Sequence, residues 1–151
     1  MKESFSIIPA GSGPLWVFLT SLGITLIVSG ILGSFVLAAR NTRFVVSEQG
    51  LEIAGGMYGR NIPKEHLEVS RAMPLDLSQD TAYKLGARTN GGGMPGFQSG
   101  WFRLRNGEKC LAFVTNPKSV VYVPTSEGYV VMMSVANPIA MVQSLQKLAA
   151  K

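Results

Sequence analysis

Between Glu3 and Arg40 the chain carries no charged residue. Within that gap Leu15 to Ala39 is a run of 25 residues, 17 of them hydrophobic, the rest Thr, Ser and Gly. A helix of that length is about 37 Å long, enough to cross a hydrocarbon core of about 30 Å with some tilt. No polar face interrupts the run, and it is long for a helix buried in a soluble core. The run reads as one transmembrane helix over residues 15–39, preceded by an N-terminal tail, residues 1–14, and followed by a domain over residues 40–151. A cleaved signal peptide is the rival reading, with Leu37-Ala38-Ala39 offering small residues for cleavage. The run exceeds the roughly 7–15 apolar residues of a signal sequence, however, and the residues before it are not distinctly basic. No Cys follows it closely, which excludes a lipoprotein anchor.

Arg40 and Arg43 flank the C-terminal end of the run, against Lys2 beside Glu3 on the other side. The positive-inside rule then places the chain in the inner or plasma membrane as a single-pass protein with its C-terminal domain in the cytoplasm. Trp16 stands near the edge of the run, where an aromatic anchor is expected. Ser29 and Gly33, Gly30 and Ser34, with Gly23 two turns earlier, set small residues on neighbouring helical faces. Such spacing lets helix backbones approach and makes these residues candidates for self-association or for assembly into a membrane complex.

Residues 40–151 hold 13 Lys and Arg against 8 Asp and Glu, so the net charge of +5 resides there. The pattern in this segment is mainly β. Phe44-Val45-Val46 and Leu51-Glu52-Ile53 flank a turn at Ser47 to Gly50. Further strands read at Met57–Ile62, Val69–Leu75, Trp101–Arg105, Cys110–Thr115, Val120–Val123 and Tyr129–Ser134. Lys64 to Leu67 fits a single helical turn, and Asp76 to Gly100, with Gly91-Gly92-Gly93 and Pro95-Gly96, reads as a loop. Asn106-Gly107 is a strong hairpin turn. Asn137-Pro138 is a helix start, and Ile139, Val142, Leu145 and Leu148 form an apolar stripe behind it. About seven short strands closed by one amphipathic helix indicate a barrel or strongly bent sheet.

Catalysis finds little to work with. There is one His and one Cys. His66 has only Glu65 and Glu68 near it in sequence, too few ligands of the right type for a metal site. Cys110 lies in a strand, where a buried thiol behaves as a small hydrophobe. The Gly-rich stretch from Asn90 to Gly100 lacks the Gly-Lys-Ser/Thr of a phosphate loop and opens no helix. No catalytic residue, no metal and no cofactor is called for. The long glycine loop is the first choice for a binding surface, because long irregular loops in small domains are often functional. Between Arg88 and Lys118 five bases stand against one acid, Glu108, and Trp101 shares a strand face with Arg103 and Arg105. The candidate binding surface is therefore Arg88, Asn90, Gly91, Gly92, Gly93, Pro95, Gly96, Phe97, Trp101, Arg103, Arg105 and Lys109. It suits anionic lipid head groups or an acidic protein partner; the structural alternative is a solvated outer face with an arginine over Trp101. A membrane anchor argues against nucleic acid as the partner.

Several stretches together resemble the bacterial pleckstrin-homology-like (PH-like) domain family over roughly Arg43 to Lys151. They are Thr42-Arg43-Phe44, Gly50-Leu51-Glu52-Ile53, Tyr58-Gly59-Arg60, Ile62-Pro63 and Arg88-Thr89-Asn90-Gly91. Pro95-Gly96-Phe97, Gly100-Trp101-Phe102-Arg103-Leu104, Val120 to Thr125, and Ser134 with Asn137-Pro138 complete the set. The resemblance implies a bent antiparallel sheet or barrel closed by a C-terminal helix, often behind an N-terminal membrane helix, and a binding or scaffolding role without catalysis. The first hairpin turn, Ser47-Glu48-Gln49-Gly50, departs from the lipid-binding pattern of eukaryotic relatives by holding an acid and no base.

Overall fold

The computed structural model describes residues 6, 8, 11–94 and 96–149. The chain divides between Leu37 and Ala38 into two compact units. The first is dominated by helix α1, Gly13–Asn41. Its stretch Gly13–Ser34 is long and apolar enough to cross a membrane, and none of that stretch is buried within the structure. Leu15, Trp16, Phe18, Ile24, Ile27 and Leu32 all lie exposed along it. The hydroxyls of Thr20, Ser21, Thr25 and Ser34 donate to carbonyls three or four residues back at 2.7–3.0 Å. These polar side chains are thus satisfied within the helix, which is what an apolar surrounding demands.

The second unit is mainly β, as the pattern predicts, with nine strands among the described residues. Strands β1, Arg43–Ser47, β2, Gly50–Ala54, and β3, Arg60–Pro63, form an antiparallel sheet in the order β1-β2-β3. Six more strands form the larger sheet: β4, Met73–Leu75; β5, Leu85–Met94; β6, Phe97–Leu104; β7, Lys109–Val114; β8, Val120–Pro124; and β9, Val130–Ser134. Their order is β4-β8-β9-β7-β6-β5. The chain leaves β7, skips one position to lay down β8, and returns by a hairpin to place β9 in the gap. β9 is therefore antiparallel to β8 and parallel to β7, a single parallel ladder in a sheet whose other pairings are antiparallel.

That insertion explains why β7, β8 and β9 read as unbroken apolar runs. Both faces of this part of the sheet are covered, so there is no solvent side to carry alternating polar residues. On one face Leu111, Phe113, Val121, Val123, Val131 and Met133 pack with Leu51, Ile53 and Ile62 of the small sheet and with Val142 and Leu145. Val142 and Leu145 belong to helix α2, Pro138–Ala149. On the other face Cys110, Ala112, Val120, Tyr122, Val130 and Met132 pack with Leu75, Leu77, Phe102 and Leu104. Leu77 and the single 3-10 turn Thr81–Tyr83 belong to the segment that links the two edge strands, β4 and β5. Helix α2 begins as expected: the Asn137 side-chain oxygen accepts the Ala140 N–H at 3.0 Å, with Pro138 in the first turn. Ile139, placed in the apolar stripe from sequence, is 61% exposed; the buried stripe runs from Val142 through Leu145.

The stretch expected to be a loop, Asp76 to Gly100, is largely sheet: β5 and the first half of β6 form a hairpin around residue 96. Glycines weaken a strand locally, which hides it from pattern reading. Here they are required by the pairing itself. Gly91 and Gly100 are cross-strand partners with φ of +149° and +126°. A Cβ on Gly91 would stand 2.8 Å from the Gly100 Cα, and one on Gly100 would stand 2.5 Å from the Gly91 Cα. Two other strands are shorter than the pattern suggested. Met57 and Tyr58 lie before β3, and Val69–Arg71 is a 3-10 turn ahead of the three-residue edge strand β4, where Pro74 costs little.

Leu145 is fully buried at the junction of helix and sheet. Leu145→Ala is expected to destabilise the domain by about 3 kcal/mol, the usual size of transfer plus cavity terms for such a site. Urea denaturation of the full chain in a neutral detergent measures it; a loss under 1 kcal/mol would show that α2 does not close the core.

Candidate binding surface

The surface is built on the hairpin β6–β7 with β5 laid along its edge. Residues two apart on a strand share a face, and directly paired residues do too. Trp101 pairs Asn90 on β5 and Leu111 on β7, and Arg103 pairs Lys109. Asn90, Trp101, Arg103 and Lys109 therefore stand on one face. A register shift in β5 between Arg88 and Asn90 turns Arg88, which pairs Phe102, to the other face, its guanidinium 5.7 Å from the Phe102 ring centre. That guanidinium lies along Gly93, where a Cβ would meet its Nη2 at 2.5 Å.

Trp101 is the centre of the first face. The Lys109 ammonium lies 4.5 Å from its ring centre and the Arg60 guanidinium 5.0 Å. The ring meets Tyr129 edge-on at 5.1 Å, and Arg60 also covers Tyr129 at 5.6 Å while donating to its hydroxyl at 3.4 Å. Cations over indole faces are attracted by the ring quadrupole, so two of them pin one side chain. Both cations on Trp101 come from other strands, Lys109 from β7 and Arg60 from β3, rather than from its own. Arg103 instead reaches down its hairpin to donate to the Gly107 carbonyl at 3.3 Å. Asn90 accepts the Tyr58 hydroxyl at 3.2 Å, and the Thr89 hydroxyl donates to the Trp101 carbonyl at 3.2 Å. Thr89, Asn90, Trp101, Phe102, Arg103 and Lys109 line a hollow of about 450 Å³.

Glu108 is the one acid in this stretch and is taken up elsewhere. It accepts the Tyr122 hydroxyl at 3.0 and 3.1 Å and the Asn106 amide at 2.6 Å. Burial, reinforced by that carboxylate, pushes the Tyr122 phenol well above its ordinary value. Burial also raises the Tyr129 phenol; Arg60 opposes this and Glu127 reinforces it. Cys110 is fully buried and burial raises its thiol, so it is kept from the thiolate form that a nucleophile needs. His66 Nδ1 meets Glu127 Oε1 at 2.8 Å. Among the described residues no group of three or more His, Cys, Asp or Glu is placed to hold a metal ion.

The residues singled out in the sequence do not form one patch. Asn90, Trp101, Arg103 and Lys109 come together, while Arg88 and Gly93 face the opposite way. Gly96 and Phe97 sit at the hairpin tip, where Phe97 borders a second groove of about 320 Å³ with Leu77, Leu85, Val114 and Pro117. Arg105 is exposed in the turn after β6, its N–H bonded to the Lys84 carbonyl. Gly91 and Gly92 are half-buried within β5, and Pro95 lies outside the described residues. Thr89, Tyr58, Arg60 and Tyr129 are additions that pattern reading did not single out. Tyr58, Arg60 and Tyr129 come from segments distant in sequence; Tyr58, Arg60 and Thr89 stood out only through the family resemblance. Along α1 a Cβ added at Gly23, Gly30 or Gly33 would meet nothing within 4 Å.

A small sheet packed on a larger one, closed by a C-terminal helix and bearing a cationic and aromatic face, defines a PH-like module. The model of the bacterial PH domain family matches residues 42–149. The chain belongs to that family, whose domains are generally binding modules rather than catalysts. No curated protein and no solved structure matches the chain.

The Tyr122 phenol supplies a pH test. A phenol held neutral in the fold but free to ionise when unfolded contributes stability that is complete below about pH 10 and is lost as pH rises further. Stability measured by urea denaturation is expected to fall between pH 9.5 and 11.5, and Tyr122→Phe to make that fall shallower. Equal slopes would remove the assignment.

Proposed function

We propose that this chain is a single-pass protein of the bacterial inner membrane whose PH-like domain is a non-catalytic binding module on the cytoplasmic side. The observation that carries the reading is the face of β5, β6 and β7. It concentrates Arg103, Lys109 and Arg60 around Trp101, and Glu108, the acid of the hairpin, is turned to Tyr122. Cations gathered around an aromatic suit an anionic ligand, on a protein partner or at the membrane surface. Helix α1 tethers the module, since its apolar exposed side chains suit lipid and its length suits a span. The flanking Arg40 and Arg43 favour a cytoplasmic domain.

Membranes washed with alkaline carbonate are expected to retain the full chain, and protease added to intact spheroplasts is expected to leave the domain uncut. Binding to vesicles containing phosphatidylglycerol, or to partners in pull-downs, is expected to fall at least tenfold in Arg103→Glu with Arg105→Glu. Release by carbonate would sink the anchor, and unchanged binding in the double variant would sink the surface.

A second reading, a small structural subunit assembled through its helix, is favoured by one observation. Gly23 and Gly30 lie two turns apart on α1 with open space beside them, and Ser29, Gly33 and Ser34 continue the small-residue faces. Gentle detergent extraction is expected to yield a larger assembly that Gly30→Leu with Gly33→Leu breaks; a lone monomer from the unaltered chain would refute it.

A further inference from the structure

Arg103 and Lys109 are direct cross-strand partners. Like charges directly opposite one another destabilise a sheet, and neither has an acidic partner among the described residues. Glu108, adjacent in sequence to Lys109, is bonded to Tyr122 and Asn106. The contacts each does make, Arg103 to the Gly107 carbonyl and Lys109 to the Trp101 ring, leave both positive charges without a neutralising anion. The hollow beside the pair adds a third kind of group. The Asn90 side-chain oxygen is taken by the Tyr58 hydroxyl, which leaves its NH₂ as donor. Arg103 of β6, Lys109 of β7 and Asn90 of β5 thus line one concavity of about 450 Å³.

We propose that this hollow is an oxyanion site that takes a phosphoryl group. The inference rests on the reading of β5–β7 as the binding surface and specifies its ligand. Three donors on three strands call for an acceptor whose oxygens point in several directions. A tetrahedral phosphoryl group offers that, whereas the two coplanar oxygens of a carboxylate match a single arginine fork. The ammonium over the Trp101 ring makes the site report on itself, because an anion that draws Lys109 away changes the field at the indole.

The chain has two tryptophans, Trp16 and Trp101. In full-length protein carrying Trp16→Phe, Trp101 emission is followed at constant ionic strength against four probes. These are inorganic phosphate, pyrophosphate, polyglutamate, and nanodiscs of phosphatidylcholine with or without phosphatidylglycerol. A saturable shift with a phosphate-bearing probe is expected, weakened at least tenfold by Arg103→Gln and by Lys109→Gln and less by Arg103→Lys. A response to the soluble phosphates supports a soluble ligand, and one confined to phosphatidylglycerol nanodiscs supports a lipid head group. As a check that does not depend on the indole, the Gln variants are expected to lose the rise in Tm that the responding probe produces. Binding of polyglutamate alone, dependent on Arg103, would overturn the phosphoryl assignment while leaving the binding surface standing. A response indifferent to both substitutions, or no response to any probe, would overturn the surface as well.

Discussion

Strand β9 is hydrogen-bonded along both edges, to β7 on one side and β8 on the other, and Val130, Val131, Met132 and Met133 are buried on both faces. Buried peptide groups must find partners, and the centre of a sheet satisfies them completely. The rest of the domain is arranged around that constraint. The small sheet and α2 cover one face, and the segment from β4 to β5 covers the other. Once β9 occupies the gap, β7 can continue outward only through β6 and β5, and those outer strands carry the cationic, aromatic face.

The cationic, aromatic face follows from position in this sheet. Near the centre both faces are covered and apolar. Toward the β5 edge the cover ends, and the same alternation that buries Leu111 and Phe113 brings Trp101, Arg103 and Lys109 to the boundary of the core. Trp101 lies partly against that core and partly under two cations. Its indole joins the packed interior to the charged rim. Glu108 has a complementary part, because by holding Tyr122 it ties the hairpin turn to the opposite core.

Some of this was legible in the chain. Trp101 to Leu104 alternates, so Phe102 and Leu104 could be assigned to one face and Trp101 and Arg103 to the other, as found. Asn137-Pro138 marked the start of α2, and Asn106-Gly107 the β6–β7 turn. The glycine-rich stretch misled, because local propensity counts glycine against a strand and cannot register that Gly91 and Gly100 must touch. An arginine over Trp101 was one of two alternatives read from the strand; the cations found there are Lys109 of β7 and Arg60 of β3, the latter brought by the packing of the small sheet.

The sequence by itself determined the division into an apolar helix and a basic β domain, since absence of charge and period-two alternation are local properties. It also determined the helix start at Asn137 and the division of Trp101 to Leu104 between two faces of β6, which depend only on neighbours along the chain. The order of the strands, the parallel pairing of β7 with β9 and the convergence of Arg60, Trp101, Lys109 and Tyr129 were decided by tertiary structure alone. These depend on which buried surfaces meet and which backbone groups remain to be paired. Both are properties of the assembled sheet and of no single segment.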